Sequence, residues 1–175
     1  MAKGSSRFGK YKERKVREAL RNPINVLKSL SEKSQEKSYK YQRLYRNLYN
    51  PEFYLLAYQN IYANKGSMTP GVDGMTIDGI SMARINRIIE SMRTQSYQPK
   101  PARREYIKKK TGNKKRPLGI SSADDKLVQE VVRMILESIY EGSFSVKSHG
   151  FRPNKSCQTA LYQIQKTFTG TNWFV

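Results

Sequence analysis

Tyr41, Leu44, Tyr45, Leu48 and Tyr49 recur at i, i+3, i+4, i+7 and i+8 in an otherwise polar stretch, the spacing that predicts one face of a helix from Lys40 onward. Helix starts are marked twice by asparagine followed by proline, at Asn22-Pro23 and Asn50-Pro51, because the asparagine caps and the proline needs no amide partner at the first position. Ile24, Val26, Leu27 and Leu30 follow the first start, and a Ser-, Glu- and Lys-rich run to Lys37 reads as a solvated helix or a linker. Phe53, Leu55, Leu56, Tyr58, Ile61 and Tyr62 follow the second. Ile85, Ile88, Ile89 and Met92 predict a helix over 81–94. The most apolar pattern runs from Leu127 through Val128, Val131, Val132, Met134, Ile135 and Leu136 to Ile139, entered at Ser122 and ending near Tyr140 before Gly142. A last helix is expected over 157–167, and Trp173-Phe174-Val175 begins a strand.

Between these helices the pattern changes period. Two short runs, 104–109 and 114–120, flank Thr111-Gly112-Asn113, and small turn residues between strand-like runs predict a β-hairpin. The hairpin is expected to pack against the apolar helix that follows it. Residues 64–74 hold three glycines and a proline, so no regular element should cross them, and their spacing is not that of a phosphate-binding P-loop. Residues 148–156 read as a second loop.

Composition changes the picture at one point above all. The 175 residues suffice for one domain, or one plus an arm, but carry 33 Lys and Arg against 14 Asp and Glu, a formal net charge of +19. With a hydrophobic fraction of 37% and a mean hydropathy of −0.76, the core should be modest and much of the surface solvated or covered by a partner. So positive a chain points to nucleic acid first and to an anionic membrane surface second. No apolar run approaches the length of a span, and nothing like a signal peptide follows Met1. A single cysteine, Cys157, and a single histidine, His149, exclude an internal disulfide framework and a zinc finger, and suit a reducing cytosol. Residues 1–21 form a basic arm broken by Gly4, Ser5, Ser6 and Gly9, with too little to bury to fold before it binds.

The charge concentrates on the hairpin. Lys100, Arg103, Arg104, Lys108, Lys109, Lys110, Lys114, Lys115 and Arg116 face the lone acid Glu105. A ribbon so charged repels itself unless a polyanion lies against it, and nucleic-acid or nucleotide phosphates are the natural candidates. The competing reading is a solvated turn whose lysines guard a sheet edge. The tyrosine-dense helices could stack on bases, although core or half-core rings with their hydroxyls at the surface are the commoner use. Asp124 and Asp125 could bind metal, but a first helical turn accounts for them without one. His149 has no paired nucleophile or ligand set and reads as structural.

Four ordered stretches resemble the group II intron-encoded reverse transcriptases, or maturases. Lys114-Lys115-Arg116-Pro117-Leu118-Gly119-Ile120, Asp125-Lys126-Leu127-Val128-Gln129-Glu130 and Ile135-Leu136-Glu137-Ser138-Ile139-Tyr140-Glu141 are similar to the family's first fingers motif and the helix after it. Ser148-His149-Gly150-Phe151-Arg152-Pro153, with Ser156 and Cys157-Gln158-Thr159-Ala160-Leu161, resembles its second. The 46–73 region, with Ala57-Tyr58-Gln59-Asn60 and Asn64-Lys65-Gly66, resembles the amino-terminal extension that carries a loop over the template. The likeness runs from about Val26 to Val175.

The resemblance implies an α+β fold, a mostly helical fingers subdomain with a basic antiparallel hairpin and without the palm of a right-hand polymerase. The implied divisions are a flexible arm at 1–21, a helical extension with its loop at 22–80, fingers at 81–172 and the start of a palm strand at 173–175. It implies that Lys109 and Arg116 grip the triphosphate of an incoming dNTP. The template and RNA contacts it implies are Arg103, Arg104, Lys108, Lys110, Lys114 and Lys115 on the hairpin, Asn64 and Lys65 in the loop, His149, Phe151, Arg152 and Pro153 in the second motif, and Arg43 and Arg46 in the extension. The family's catalytic aspartates, which hold Mg2+, lie in the palm, so this segment should bind without polymerising. The implied partners are a group II intron RNA, an RNA template with its DNA primer, and dNTP, in a bacterial cytoplasmic ribonucleoprotein. The resemblance is compatible with a homodimer and does not fix the oligomeric state. Rival readings are a stand-alone RNA-binding splicing factor without polymerase activity, and a basic scaffold docking through its tyrosine-rich helices.

Overall fold

The computed structural model describes residues 22–64, 66–109 and 114–170. The basic arm, Lys65, the hairpin tip at 110–113 and the strand expected at Trp173 lie outside the described residues. The elements are α1 (Pro23–Lys33), α2 (Pro51–Tyr62), α3 (Met82–Arg93), β1 (Arg103–Lys108), β2 (Lys115–Ile120), α4 (Ala123–Tyr140) and α5 (Cys157–Thr167), with 3-10 turns at Leu44–Tyr49, Ile77–Gly79 and Glu141–Ser143.

Each helix begins where a side chain can take over an orphan backbone amide. Asn22 accepts from the amides of Ile24 and Asn25, Asn50 from Glu52, Ser81 from Arg84 and Ser122 from Asp125. Ser156 and Thr159 form a reciprocal capping box. Such caps are worth about 1 kcal/mol apiece.

The core gathers around α4. Leu127, Val131, Met134, Ile135 and Ile139 are buried there against Phe53, Tyr54 and Ala57 of α2 and Ile85, Ile88, Ile89 and Met92 of α3. Half-buried Val26, Leu27 and Leu30 pack α1 onto the same cluster. Burying a Leu, Ile, Val, Phe or Met side chain contributes about 1.5–3 kcal/mol, so this cluster holds the helices together.

Two expectations change. The helix from Lys40 onward shortens to the 3-10 turn Leu44–Tyr49. Arg43 enters it at a left-handed φ of 57°, and Asn50, extended at ψ 114° ahead of Pro51, ends it, because a residue before proline is disfavoured in helical geometry. The tyrosines of this turn and of α2 divide between core and surface: Tyr54 of α2 is buried and donates to the Leu48 carbonyl at 2.9 Å, whereas Tyr45 of the turn stays exposed while donating to the Met92 carbonyl at 3.3 Å.

The hairpin, expected to lie on α4, instead stands clear of the core. Only Ile120 is buried along its two strands, and Tyr106, Ile107 and Leu118 are 58%, 38% and 44% exposed. Pairing is antiparallel from Arg103 opposite Ile120 to Lys108 opposite Lys115. Side chains alternate between faces, so this register puts Tyr106 on one face and Ile107 with Leu118 on the other, each among cations. Neither face is apolar enough to repay desolvating those charges.

Candidate nucleic-acid interface

The ribbon is held at its base. Asp125, 3% exposed in the first turn of α4, accepts from the Tyr97 hydroxyl at 2.5 Å, the Lys100 amide at 3.1 Å and the Ser122 hydroxyl at 2.6 Å. It thereby fixes the segment that leads into β1. Burial, followed by the neighbouring Asp125, pushes the Tyr97 hydroxyl well above its ordinary pKa, so it remains a donor. Next to it, Asp124 accepts from Arg84 Nε at 2.5 Å. The two acids therefore do more than cap a helix. Asp125→Ala would strand the Tyr97 hydroxyl and the Lys100 amide, and thermal unfolding should show a loss of about 2–4 kcal/mol. A variant as stable as the parent would contradict this role.

Beyond the base, the Lys109 amide donates to the Lys114 carbonyl at 3.0 Å and carries the pairing one residue past the strands. Lys109 therefore shares a face with Lys114, Arg116, Ile107 and Leu118, while Lys108, Lys115, Arg104 and Tyr106 share the other. Lys108, Lys109, Lys114, Lys115 and Arg116 are all exposed. Lys108 sits directly opposite Lys115, and Lys109 opposite Lys114. Like charges across a strand pair are destabilising by about 0.2–1 kcal/mol each, a cost that a bound polyanion would relieve.

Other residues expected at the interface have different surroundings. Arg103 turns inward, donating from Nε to the Pro70 carbonyl at 3.0 Å and pairing with Glu105 at 3.2 Å. Arg152 does the same more completely. Its guanidinium bonds the Glu141 carboxylate at 2.8 and 3.0 Å and the carbonyls of Ser145 and Ser148 at 2.9 and 3.0 Å. Its donors hold its own loop closed. His149 is bonded at both ring nitrogens, to Thr159 at 2.8 Å and Gln163 at 2.5 Å, which ties the loop to α5 and supports its structural reading. Phe151 in that loop is fully exposed at a left-handed φ of 55°, and Pro153 is exposed.

Arg104, Asn64, Arg43 and Arg46 are exposed, and Arg43 lines an open groove of about 680 Å³ with Lys33, Tyr39 and Asn47. Lys65 and Lys110 lie outside the described residues. Among the described residues no three His, Cys, Asp or Glu side chains gather to hold a metal, and no helix is long and apolar enough to cross a membrane. Sequence reasoning missed Asp125, Lys126 and Arg84 as organisers. Asp-Asp-Lys at a helix start carries no sign of partners that lie 25 to 60 residues away.

A helical core with an upright cationic ribbon defines the chain as a basic α+β module. No protein-family model matches it. It is 51% identical over 157 residues to the group II intron-encoded protein LtrA of Lactococcus lactis subsp. cremoris, covering 89% of this chain and 26% of that protein. An uncharacterized 91 kDa protein in a cob intron of Schizosaccharomyces pombe is 42% identical over 160 residues, 89% of this chain and 20% of its own. The mitochondrial nuclear intron maturase 2 of Arabidopsis thaliana is 51% identical over 51 residues, 29% of this chain and 7% of its own. The chain belongs to the family of group II intron-encoded reverse transcriptases and maturases. It spans about a quarter of the length of LtrA.

Proposed function

We propose that this chain is the amino-terminal extension and fingers portion of an RNA-directed DNA polymerase that binds intron RNA and assists its splicing and mobility. The extension would comprise residues 22–80 and the fingers 81–172. The observation that carries the reading is the cross-strand pairing of exposed cations on a ribbon that no core residue covers. On such a ribbon Lys109 and Arg116 lie on one face and suit a triphosphate. Charge-assisted bonds to its oxygens stabilise the charge that develops on the leaving pyrophosphate, and arginine offers a planar fork. Lys108 and Lys115, on the other face, would meet RNA phosphates, and the 64–74 loop would lie over the template. Magnesium would be held by carboxylates of the full-length enzyme outside this segment, and the complex would work as a cytoplasmic ribonucleoprotein.

The test is a titration of the chain into structured intron RNA between 50 and 300 mM KCl. Each neutralised phosphate contributes about 0.7–0.9 to the slope of log K against log salt. A slope steeper than about −3 is expected, and salt-independent binding would refute the reading.

A further inference from the structure

Lys126, in the first turn of α4, is half-buried and turns its ammonium onto a backbone. Its ammonium donates to the carbonyls of Gly66 at 3.1 Å, Ser67 at 3.4 Å and Thr69 at 2.8 Å. An ammonium has three protons, so these bonds use all of them on the backbone of one loop. Burial lowers its pKa from the ordinary lysine value, in keeping with a group withdrawn from water.

Three further anchors hold the same loop. Gly71 abuts the start of α4 so closely that a Cβ there would lie 2.6 Å from the Ser122 Cα. The Asp73 carboxylate takes the Lys100 ammonium at 2.8 Å and faces Arg84 Nη2 at 3.8 Å. Arg103, the first residue of β1, donates to the Pro70 carbonyl at 3.0 Å. The loop is thus tied on one side to α4 and on the other to the entry of the ribbon, which Asp125 also holds. Met68 and Val72 nevertheless stay exposed, so its anchored backbone leaves apolar side chains on the outside.

We infer that Lys126 is a positioning residue that clamps loop 66–74 to the base of the ribbon, so that the two meet a bound nucleic acid as one preformed jaw. The inference rests on the nucleic-acid reading above for what the jaw grips, but not for the clamp itself. Its benefit is preorganisation: a loop already ordered loses less conformational freedom when it binds.

Hydrogen exchange on the free chain tests the clamp without RNA, because the amides of Ser67, Thr69, Gly71 and Gly74 are hydrogen-bonded within this region. Lys126→Met keeps the aliphatic stem and removes the donors. It should speed exchange of these amides by about tenfold or more while α2 and α3 keep their protection. Gly71→Ala, which forces the same loop off Ser122 without changing charge, should do likewise. In RNA titrations both variants should bind about tenfold more weakly with the salt slope unchanged, whereas loss of a phosphate contact lowers the slope by about 0.7–0.9. Unchanged exchange in Lys126→Met would overturn the clamp, and a lowered slope without faster exchange would make Lys126 a phosphate contact instead. Loosened loops in a chain that binds no RNA at all would uphold the clamp and refute the functional reading.

Discussion

Replacing Lys108, Lys109, Lys114, Lys115 and Arg116 together by glutamine is expected to weaken binding to structured RNA by about 10²–10³-fold at moderate salt and to flatten the salt slope by about 2 to 3, the share of Lys108, Lys114 and Lys115, since Lys109 and Arg116 are assigned to the triphosphate. The same variant should unfold at the same temperature as the parent or slightly higher. All five side chains are exposed, and Lys108 and Lys109 sit opposite Lys115 and Lys114, so the substitutions remove repulsion without opening the core. Loss of binding with stability retained separates an interface from a structural element. If the lysines only guard an edge strand from aggregation, the variant will bind RNA as the parent does and instead self-associate.

If the chain is the fingers of a polymerase as proposed, Arg116→Ala in that full-length protein is expected to lower kcat/KM for the nucleotide by about 10²–10³-fold, the usual effect of deleting one donor to developing charge. The register supplies an internal control. Lys115 is the next residue along β2 but points to the opposite face, so Lys115→Ala should change nucleotide kinetics by less than about tenfold while weakening binding to the RNA template. Equal effects from the two substitutions, or unchanged kinetics in Arg116→Ala, would remove Arg116 from the triphosphate site.

The helices were legible in the sequence because their signals are local. An asparagine before a proline, a serine before an apolar run and a spacing of three and four each act within one or two turns. Asn22, Asn50 and Ser122 cap where expected, and Ser81 and Ser156 cap helices expected over 81–94 and 157–167. Ile85, Ile88, Ile89 and Met92 are buried together as their spacing predicts. The stretch around Tyr41 to Tyr49 shows the limit of the same signal, since a helical spacing does not reveal that Arg43 bends the chain. The ribbon's charge was legible, but its freedom from the core was not. Strand alternation alone sends Tyr106 and Ile107 to opposite faces, but only the register shows that Leu118 joins Ile107 on a face lined with cations.

Least legible were contacts between distant polar groups. Arg103 and Arg152 belong to the charge inventory of an interface, yet each is committed to backbone carbonyls and a carboxylate of its own protein. Lys126 reads as one more cation near a helix start, and only the folded chain brings the Gly66 carbonyl to it across 60 residues. A positive composition therefore overstates how many cations are available to a phosphate.

The most direct measurement is lysine acylation of the chain with and without saturating intron RNA, read residue by residue by mass spectrometry. Protection of Lys108, Lys114 and Lys115 on RNA binding is expected, with Lys28, exposed on α1, as the reference for an unoccupied surface. Hairpin lysines that react at the same rate with RNA bound would place the nucleic acid elsewhere and contradict the assignment of the ribbon as its contact surface.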